Sequence, residues 1–205
     1  MRQFVLRENI VRFQRALEVE RHEELRLSLR EMLASSRREL ALLEAELLGA
    51  QVAPVQPCAD HAWRGHVLAA SFRDDFDNSA HPCMVLDPRP GLTIVDLNAA
   101  HLTATNTGRD AIGRRLFDAF PDNPADPGAD GVHTFYTVLR AAAESGLPQS
   151  MPAHRCDVRG PDGRFVERHW RSETTPLSNE NGRLLFLLHK REDVTAEVAV
   201  RQAAD

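Results

Sequence analysis

The sequence predicts an α+β protein in which a helical N-terminal segment precedes an antiparallel sheet. Three observations carry this prediction. Residues 1–50 contain no proline, and their only glycine is Gly49. Two turn signals, GPDG at 160–163 and NG at 181–182, separate apolar runs and are typical of β-hairpins. Residues 131–146 have helical spacing, so the predicted order is two strands, one helix and three antiparallel strands.

The first 50 residues carry nine arginines and nine glutamates, so their charge is balanced. Apolar residues recur at helical spacing on both sides of Arg21-His22, where the pattern breaks. We therefore expect a helical hairpin, or one long bent helix in a coiled coil. The narrow apolar stripe must pack on its own first helix, on the rest of the chain or on a second copy. The residues predicted for this dimerisation or docking segment are Ile10, Phe13, Leu17, Leu25, Leu29, Met32, Leu33, Leu40, Leu43 and Leu47.

A linker is predicted over residues 51–69, where two prolines interrupt small and polar residues. A short helix is expected within 64–79 because apolar residues recur there at helical spacing. The residues on its apolar side are Val67, Leu68, Phe72 and Phe76.

The pattern of strands begins near residue 80, and one long helix interrupts it. The predicted strands cover 81–87, 92–98, 150–160, 164–177 and 182–195. The helix between the second and third strands spans 131–146 and ends at Gly146. Its apolar face contains Val132, Phe135, Val138, Leu139 and Ala142. A short helix is expected to follow the last strand, over 197–205.

The overall composition excludes several classes of protein. The formal net charge of −5 supplies no basic field for nucleic acid. No run of about 18 apolar residues predicts a membrane span, and the N-terminus lacks the pattern of a secretory signal. The three cysteines form no CxxC pair, so neither a disulfide framework nor a zinc site is expected. These observations predict a reduced, cytoplasmic protein.

Five motifs in order resemble those of a PAS domain. They are VLDPRPGLTIVDLNAAHLTATN (85–106), GRRLFDAFPDNP (113–124), ESGLP (144–148), RGPDGRFVERHW (159–170) and LLHKREDVT (187–195). The resemblance covers residues 70–196. Within this range the sequence is similar to a bacterial subgroup of PAS domains that is often found ahead of two-component kinases. It implies a five-stranded antiparallel sheet with helices packed on one face. It also implies a sensory or interaction role in signal transduction.

Four evenly spaced aspartates precede the long helix in GRRLFDAFPDNPADPGADGV, residues 113–132. A calcium loop needs alternating oxygen ligands that end in a bidentate Glu, and no such residue follows at that spacing. Turn and cap chemistry is therefore the preferred interpretation. Asp130 is predicted to cap the long helix, and Asp122 and Asp126 to form turns beside prolines.

Two cofactors are known from PAS domains that this chain resembles, flavin and haem. Light-sensing PAS relatives carry a cysteine in a GRNCRFLQ-like motif, and this chain has GRRLFDAF there, so no flavin photoadduct is expected. Haem-binding members use a histidine on the helix between the strands. His133 lies about two residues upstream of that position, where Phe135 stands, and is turned from it by about 200°. Haem on His133 is kept as an alternative, with His101 and His169 as weaker ligands.

Aromatic side chains offer a site for an organic ligand between the helices and the sheet. The competing interpretation is that these rings simply fill the core. No Ser-His-Asp order, phosphate loop, HExxH sequence or paired carboxylate predicts catalysis. The candidate ligand-binding residues are Phe117, Phe120, His133, Phe135, Tyr136 and Trp170.

The sequence EDVT (192–195) ends the last predicted strand. In related domains an Asp-x-Thr at this place links the sheet to an outgoing helix, so the resemblance implies a signal-coupling role for Asp193 and Thr195. The competing interpretation is a plain helix cap. The whole sequence thus predicts a non-enzymatic PAS sensor or interaction module, a homodimer that engages a kinase or response regulator and a small-molecule ligand. A haem sensor and a ligand-free scaffold are the alternatives.

Overall fold

Two antiparallel helices open the chain in a computed structural model that describes residues 1–50 and 70–203. Helix α1 spans Arg2–Val19 and α2 spans Glu23–Leu48. The chain turns between them because the Glu20 carboxylate accepts the backbone N–H groups of Arg21 and His22, at 2.8 and 2.9 Å. This arrangement confirms the predicted helical segment in its hairpin form. The predicted linker, with Val67 and Leu68, lies outside the described residues.

Helix α2 packs on the rest of the molecule through its small residues. Ala41 and Ala45 are buried and belong to the main hydrophobic core. The helix ends at Gly49, whose φ of 67° favours glycine. A Cβ at Gly49 would lie 2.2 Å from the carbonyl oxygen of Pro88, so only glycine lets the backbones approach this closely. The N–H of Ala50 then donates to that same carbonyl at 2.8 Å.

A five-stranded antiparallel sheet forms the centre of the C-terminal part, in the order β2-β1-β7-β6-β3. Strands β1 and β2 pair as the predicted first hairpin, and β1 also pairs with β7. The strands of this sheet are β1 (Cys83–Leu86), β2 (Ile94–Leu97), β3 (Gln149–Arg155), β6 (His169–Ser178) and β7 (Leu184–Asp193). The order and the direction of the strands confirm the predicted fold class.

Three helices cover the inner face of the sheet: α4 (Ala99–Thr105), α5 (Leu116–Ala119) and α6 (Gly131–Ser145). A 3₁₀ turn at Arg109–Ala111 lies between α4 and α5. The core between these layers is mainly apolar. Its most buried members include Met84, Leu86, Ile94, Leu97, Leu116, Leu139 and Leu187.

A smaller apolar cluster lies on the other face of the sheet. Helix α3 spans Ala70–Asn78 and contributes Phe72 and Phe76, whose rings stack with centroids 6.3 Å apart. Successive residues of a strand point to opposite faces. Cys83 and Val85 of β1 therefore contact this cluster, while Met84 and Leu86 contact the main core.

Asn98 ties three elements together at the end of β2. Its buried Oδ1 accepts the N–H groups of Cys83 and His101, both at 2.9 Å, and so caps α4. Its Nδ2 donates to the carbonyl oxygens of Phe76 and His81, at 3.1 and 2.9 Å. One side chain thereby satisfies backbone groups where α3 ends, β1 begins and α4 begins.

The third and fourth predicted strands are shorter in the structure than the sequence indicated. The pairing of β3 with β6 shifts between Met151 and His154, where Pro152 donates no N–H. The predicted turn at 160–163 instead closes a separate two-stranded ribbon, β4 (Val158–Arg159) with β5 (Phe165–Val166). Helix α7, Thr195–Gln202, follows β7. No helix in the described ranges is long and apolar enough to cross a membrane.

Candidate functional site

A cavity of about 250 Å³ lies between the inner helices and the sheet. Its wall comes from the segment 105–122, the first turns of α6, the chain between β3 and β5, and one residue of β7, Arg191. The cavity therefore touches both the helical layer and the sheet. A ligand held there would contact the inner helices, the β4–β5 ribbon and one strand of the sheet.

Aromatic rings line the helical side of this cavity. Phe117 and Phe135 pack edge to face, with ring centroids 6.3 Å apart. Phe120 also lines the cavity and meets the ring of His101 edge to face, at 5.4 Å. Phe117, Phe120 and Phe135 are three of the six residues predicted for ligand binding, and the structure brings them together.

Three basic side chains are buried beside these rings: His101, His189 and Arg191, at 0%, 2% and 7% exposed. Burial lowers the pKa of both histidines well below the ordinary value of 6.5, and the charge of Arg191 lowers it further. Both histidines are therefore neutral at pH 7. Nδ1 of His189 shares a hydrogen bond of 2.9 Å with the hydroxyl of Thr174. The remaining positive charge of this cluster belongs to Arg191.

The sequence analysis did not predict that His189 and Arg191 belong to the site. The preceding run LLFLL at 184–188 is apolar on both faces of β7. Such a run does not reveal which residues point inward. The available signal is the period of two, which places Leu187, His189 and Arg191 on one face. In the structure these three residues are buried, while Lys190 between them is exposed.

Asp122 connects the cavity wall to helix α2. Its Oδ2 accepts a hydrogen bond of 2.8 Å from Nε of Arg38, and only 6% of its side chain is exposed. Its Oδ1 accepts the N–H of Val132 at 2.9 Å and so caps α6. The predicted cap residue, Asp130, makes no side-chain cap bond, because Asp122 reaches the free N–H groups of α6 from ten residues upstream. Arg38 also donates to the carbonyl of Ala129, at 2.6 Å.

Two further predicted residues, His133 and Tyr136, lie on the side of α6 that faces α2. The hydroxyl of Tyr136 donates to the carbonyl of Gly49 at 3.0 Å, and burial raises its pKa to about 12. Burial also lowers the pKa of His133, and the adjacent Arg37 adds to this shift. Neither residue belongs to the described wall of the cavity. His133 is therefore not placed to ligate a cofactor held there.

Trp170, the sixth predicted residue, is buried beside the cavity. Its Nε1 donates to the carbonyl of Cys156 at 3.0 Å. The guanidinium carbon of Arg191 lies 5.1 Å from the centroid of its ring. Trp170 thus reaches the cavity through Arg191 and is absent from the wall as described.

Asp193 and Thr195 join the end of the sheet to α7. The N–H of Thr195 donates to Oδ1 of Asp193, and the N–H of His169 donates to the Thr195 hydroxyl, both at 2.9 Å. Arg171 of β6 then bridges Glu192 and Glu197, each at 2.9 Å. Strands β6 and β7 and the first turn of α7 are therefore held as one unit.

Most of the predicted docking residues of the helical hairpin are covered within the chain. Leu33 is buried, Leu25, Met32 and Leu47 remain exposed, and the others are partly covered. The partly covered residues are Ile10, Phe13, Leu17, Leu29, Leu40 and Leu43. In α1, Ile10, Phe13 and Leu17 continue the stripe of the buried Leu6, because residues three to four apart share a helix face. The covered part of the apolar stripe therefore packs within the chain, and its exposed part is free for other contacts.

A metal centre finds no support in the part of the chain that is described. No group of three or more His, Cys, Asp or Glu side chains lies close enough there to hold an ion. The aspartates of the segment 113–132 take other roles. Asp126, for example, accepts the N–H of Gly128 at 3.0 Å and closes a turn.

The family assignment comes from residues 76–199, which match the family model PAS_4, described as a PAS fold. The matched region is more than half of the chain and contains the sheet, the inner helices and the cavity. The chain belongs to the PAS family. PAS domains are in general sensory or interaction modules, and in this PAS domain the cavity occupies the space between sheet and helices. No curated protein matches the chain.

Several solved structures are similar to this PAS domain. The PAS domain of a protein from Colwellia psychrerythraea is 20% identical, covers 62% of this chain and 96% of its own, and has a TM-score of 0.47. The LOV protein of Rhodobacter sphaeroides is 16% identical, with 64% and 69% covered and a TM-score of 0.47. Vibrio cholerae VqmA is 20% identical, with 64% and 53% covered and a TM-score of 0.46. At 20% identity or less, these likenesses say nothing about what this chain binds.

Proposed function

We propose that the protein is a cytoplasmic PAS sensor or protein-interaction module of bacterial signal transduction, with no catalytic output of its own. The observation that carries this proposal is the double role of Asp122. Asp122 lines the cavity, and its carboxylate also holds α2 through Arg38. A ligand that moves Asp122 weakens or strengthens the hold on α2, so occupancy of the cavity is converted into a displacement of the helical hairpin.

A second connection leads from the cavity to the other end of the chain. Arg191 lies in the cavity wall, two residues before Asp193 on the same strand. Asp193 and Thr195 bind each other and β6 where α7 begins. A change in the position of β7 therefore reaches α7 directly, which supports the predicted coupling role of these two residues.

The mechanism that we propose is a shift between two arrangements of the flanking helices. A ligand shifts this equilibrium only by its difference in affinity for the two arrangements. A change from 1:99 to 99:1 needs a preference of about 10⁴-fold. Partial shifts need less, so a modest ligand preference suffices to expose a surface of α2 or α7 to a partner kinase or response regulator.

We propose further that two chains associate through the outer face of the hairpin. Phe4 is 68% exposed and Val11 40% exposed, and they lie seven residues apart on one face of α1. Leu25 and Leu47 of α2 are 53% and 55% exposed. Sedimentation velocity of the full chain should show a dimer, and Phe4→Glu should shift it to the monomer. A monomer at all micromolar concentrations would contradict this association.

Amide hydrogen exchange tests the connection between cavity and helices. Val158→Phe places a larger side chain in the cavity wall and imitates occupancy. Val166→Phe is the matched control, because Val166 pairs with Val158 across the ribbon but is 43% exposed. We expect Val158→Phe to change exchange in α2 and α7 by about fivefold or more, or about 1 kcal/mol of local opening free energy, and Val166→Phe to leave it unchanged.

Circular dichroism melts of both variants show whether the fold is kept. If Val158→Phe melts as the wild type does and exchange in both helices is the same, the cavity is not coupled to them. In that case the chain would act only through fixed contacts with a partner.

A further inference from the structure

Arg191 is a residue of the described cavity wall whose burial is not explained by packing alone. The period of β7 turns its side chain inward, and only 7% of the residue is exposed. Its backbone N–H donates to the carbonyl of Pro82 at 3.0 Å, as expected for the end of a strand. Its guanidinium is therefore carried into the space between sheet and helices, where it forms part of the cavity wall.

Among the described residues, the guanidinium of Arg191 contacts two aromatic rings and no carboxylate. Its Cζ lies 5.7 Å from the ring centroid of Phe135 and 5.1 Å from that of Trp170. In the described ranges, Nε has no hydrogen-bond partner and no carboxylate lies within 4 Å of the guanidinium. A buried charge that stays unpaired destabilises a fold, and two cation–π contacts offset this only in part.

The carboxylates of the cavity wall that are well buried already have partners. Asp122 is bound by Arg38 and by the N–H of Val132. Asp157 accepts hydrogen bonds of 2.8 Å from both Arg155 and Asn123, and its pKa is lowered by the Arg155 guanidinium. Asp157 therefore stays ionised, and both acids keep their partners. Within the described residues neither acid is available to Arg191, so a bound anion would supply its missing partner.

The shape of the site limits the kind of anion. The cavity of about 250 Å³ is smaller than the roughly 300–1,000 Å³ of pockets for drug-sized ligands. Phe117, Phe120 and Phe135 offer flat apolar surfaces suited to an aromatic ring. One guanidinium matches one planar carboxylate in a two-bond pair. Arg114 and Arg159 also belong to the described wall but are exposed, so Arg191 is its buried cation. A phosphate group carries more charge than this one buried cation neutralises.

We propose that the cavity binds a small aromatic monocarboxylic acid, whose ring lies against Phe117, Phe120 and Phe135 and whose carboxylate pairs with Arg191. The proposal rests on the sensor function proposed above and names its ligand class. Pairing with the acid satisfies the buried guanidinium. The ligand would then lie beside Asp122, which is bound to α2 through Arg38. It would also contact Arg191, which precedes Asp193 by two residues on the strand that leads to α7.

Calorimetric titration of the full chain tests the proposal with benzoate, phenylacetate and indole-3-acetate. Phenylacetamide serves as the neutral counterpart, and inorganic phosphate as the competing anion. We expect at least one of the acids to bind with a Kd below about 1 mM, and its amide to bind at least about tenfold more weakly. Arg191→Met should weaken the acid by at least tenfold, whereas Arg164→Met should not, since the Arg164 side chain is 89% exposed.

The thermal stability of the unliganded Arg191→Met variant separates binding from a structural role. A residue kept for ligand binding leaves the melting temperature equal or higher when its buried charge is removed. A clear fall in that temperature, binding of phosphate alone, equal binding of acid and amide, or no binding by any of the three acids would each overturn the proposal. The exchange test with Val158→Phe uses no ligand, so a failure of the sensor function is recognised separately.

Discussion

The ion pair between Arg38 and Asp122 should be the strongest single attachment of the helical hairpin to the PAS core. Asp122→Ala removes two interactions at once. Loss of the cap on Val132 costs about 1 kcal/mol. Loss of the charge-assisted bond to Arg38, whose side chain is 25% exposed, costs about 2 kcal/mol. We therefore expect a fall of about 3 kcal/mol in the free energy of unfolding.

Asp122→Asn separates the two terms because the amide keeps an oxygen for the N–H of Val132 but carries no charge. The expected loss is about 2 kcal/mol. Arg38→Met completes a double-mutant cycle, in which we expect a coupling energy of about 2 kcal/mol with Asp122→Asn. Urea denaturation followed by circular dichroism measures all four proteins. Asp118→Ala is the control, since this exposed aspartate of the same segment should change stability by less than about 0.5 kcal/mol.

The ranking of the two Asp122 variants decides whether the reasoning holds. If the Asn variant is as unstable as the Ala variant, the retained cap oxygen contributes nothing and the bond to Val132 has been overestimated. If the coupling with Arg38 is below about 0.5 kcal/mol, the pair behaves as an exposed surface pair. Asp122 would then contribute little to holding α2 and would not transmit movement from the cavity.

Three further outcomes follow from buried polar groups. Asn98→Ala should lower the free energy of unfolding by about 3 kcal/mol in urea, because its amide is hydrogen-bonded to five backbone groups, and a loss below 1 kcal/mol would contradict this. Tyr136→Phe should cost about 1–2 kcal/mol, or roughly 2–8 °C in melting temperature, by freeing the carbonyl of Gly49; an unchanged melting temperature would count against that bond. Stability should fall as pH drops below about 6.5, because the unfolded state protonates histidines that the fold keeps neutral. This slope reaches up to about 1.4 kcal/mol per pH unit for each histidine. His189→Gln should make it shallower, whereas exposed His81→Gln should not.

Much of the fold follows from patterns that are local in sequence. The hairpin turns at 160–163 and 181–182 were predictable because Gly163 and Gly182 adopt positive φ, which few other residues tolerate. The bulge at Pro152 was not predicted, although a proline inside a strand argues against continuous pairing. The ribbon of β4 and β5 was not predicted either. Where a strand ends depends on the partner strand, which lies far away in sequence.

The sequence predicted which types of residue form the candidate site, but not which way each side chain points. Phe135 and Tyr136 are neighbours on α6, and one residue turns a helix by about 100°. Phe135 therefore lines the cavity, whereas Tyr136 reaches Gly49. Sequence spacing alone could not show what contacts the face of α6 that carries Tyr136. The segment that covers this face, α2 with Gly49, lies more than 80 residues away in the chain. Asp122 was predicted only as a turn residue, since its partner Arg38 is equally distant.

Arg38, which is partly buried, is explained by folding, whereas the buried Arg191 is explained by the ligand binding that we propose. Arg38 pairs with Asp122 and attaches α2, so its charge has a structural counterpart. Arg191 sits between two aromatic rings and a cavity, where a methionine or leucine would pack at lower cost. A side chain that destabilises the unliganded fold in this way also strengthens ligand binding, since the ligand supplies the missing charge. The same residue then makes the position of β7 depend on occupancy, which is what a sensor requires.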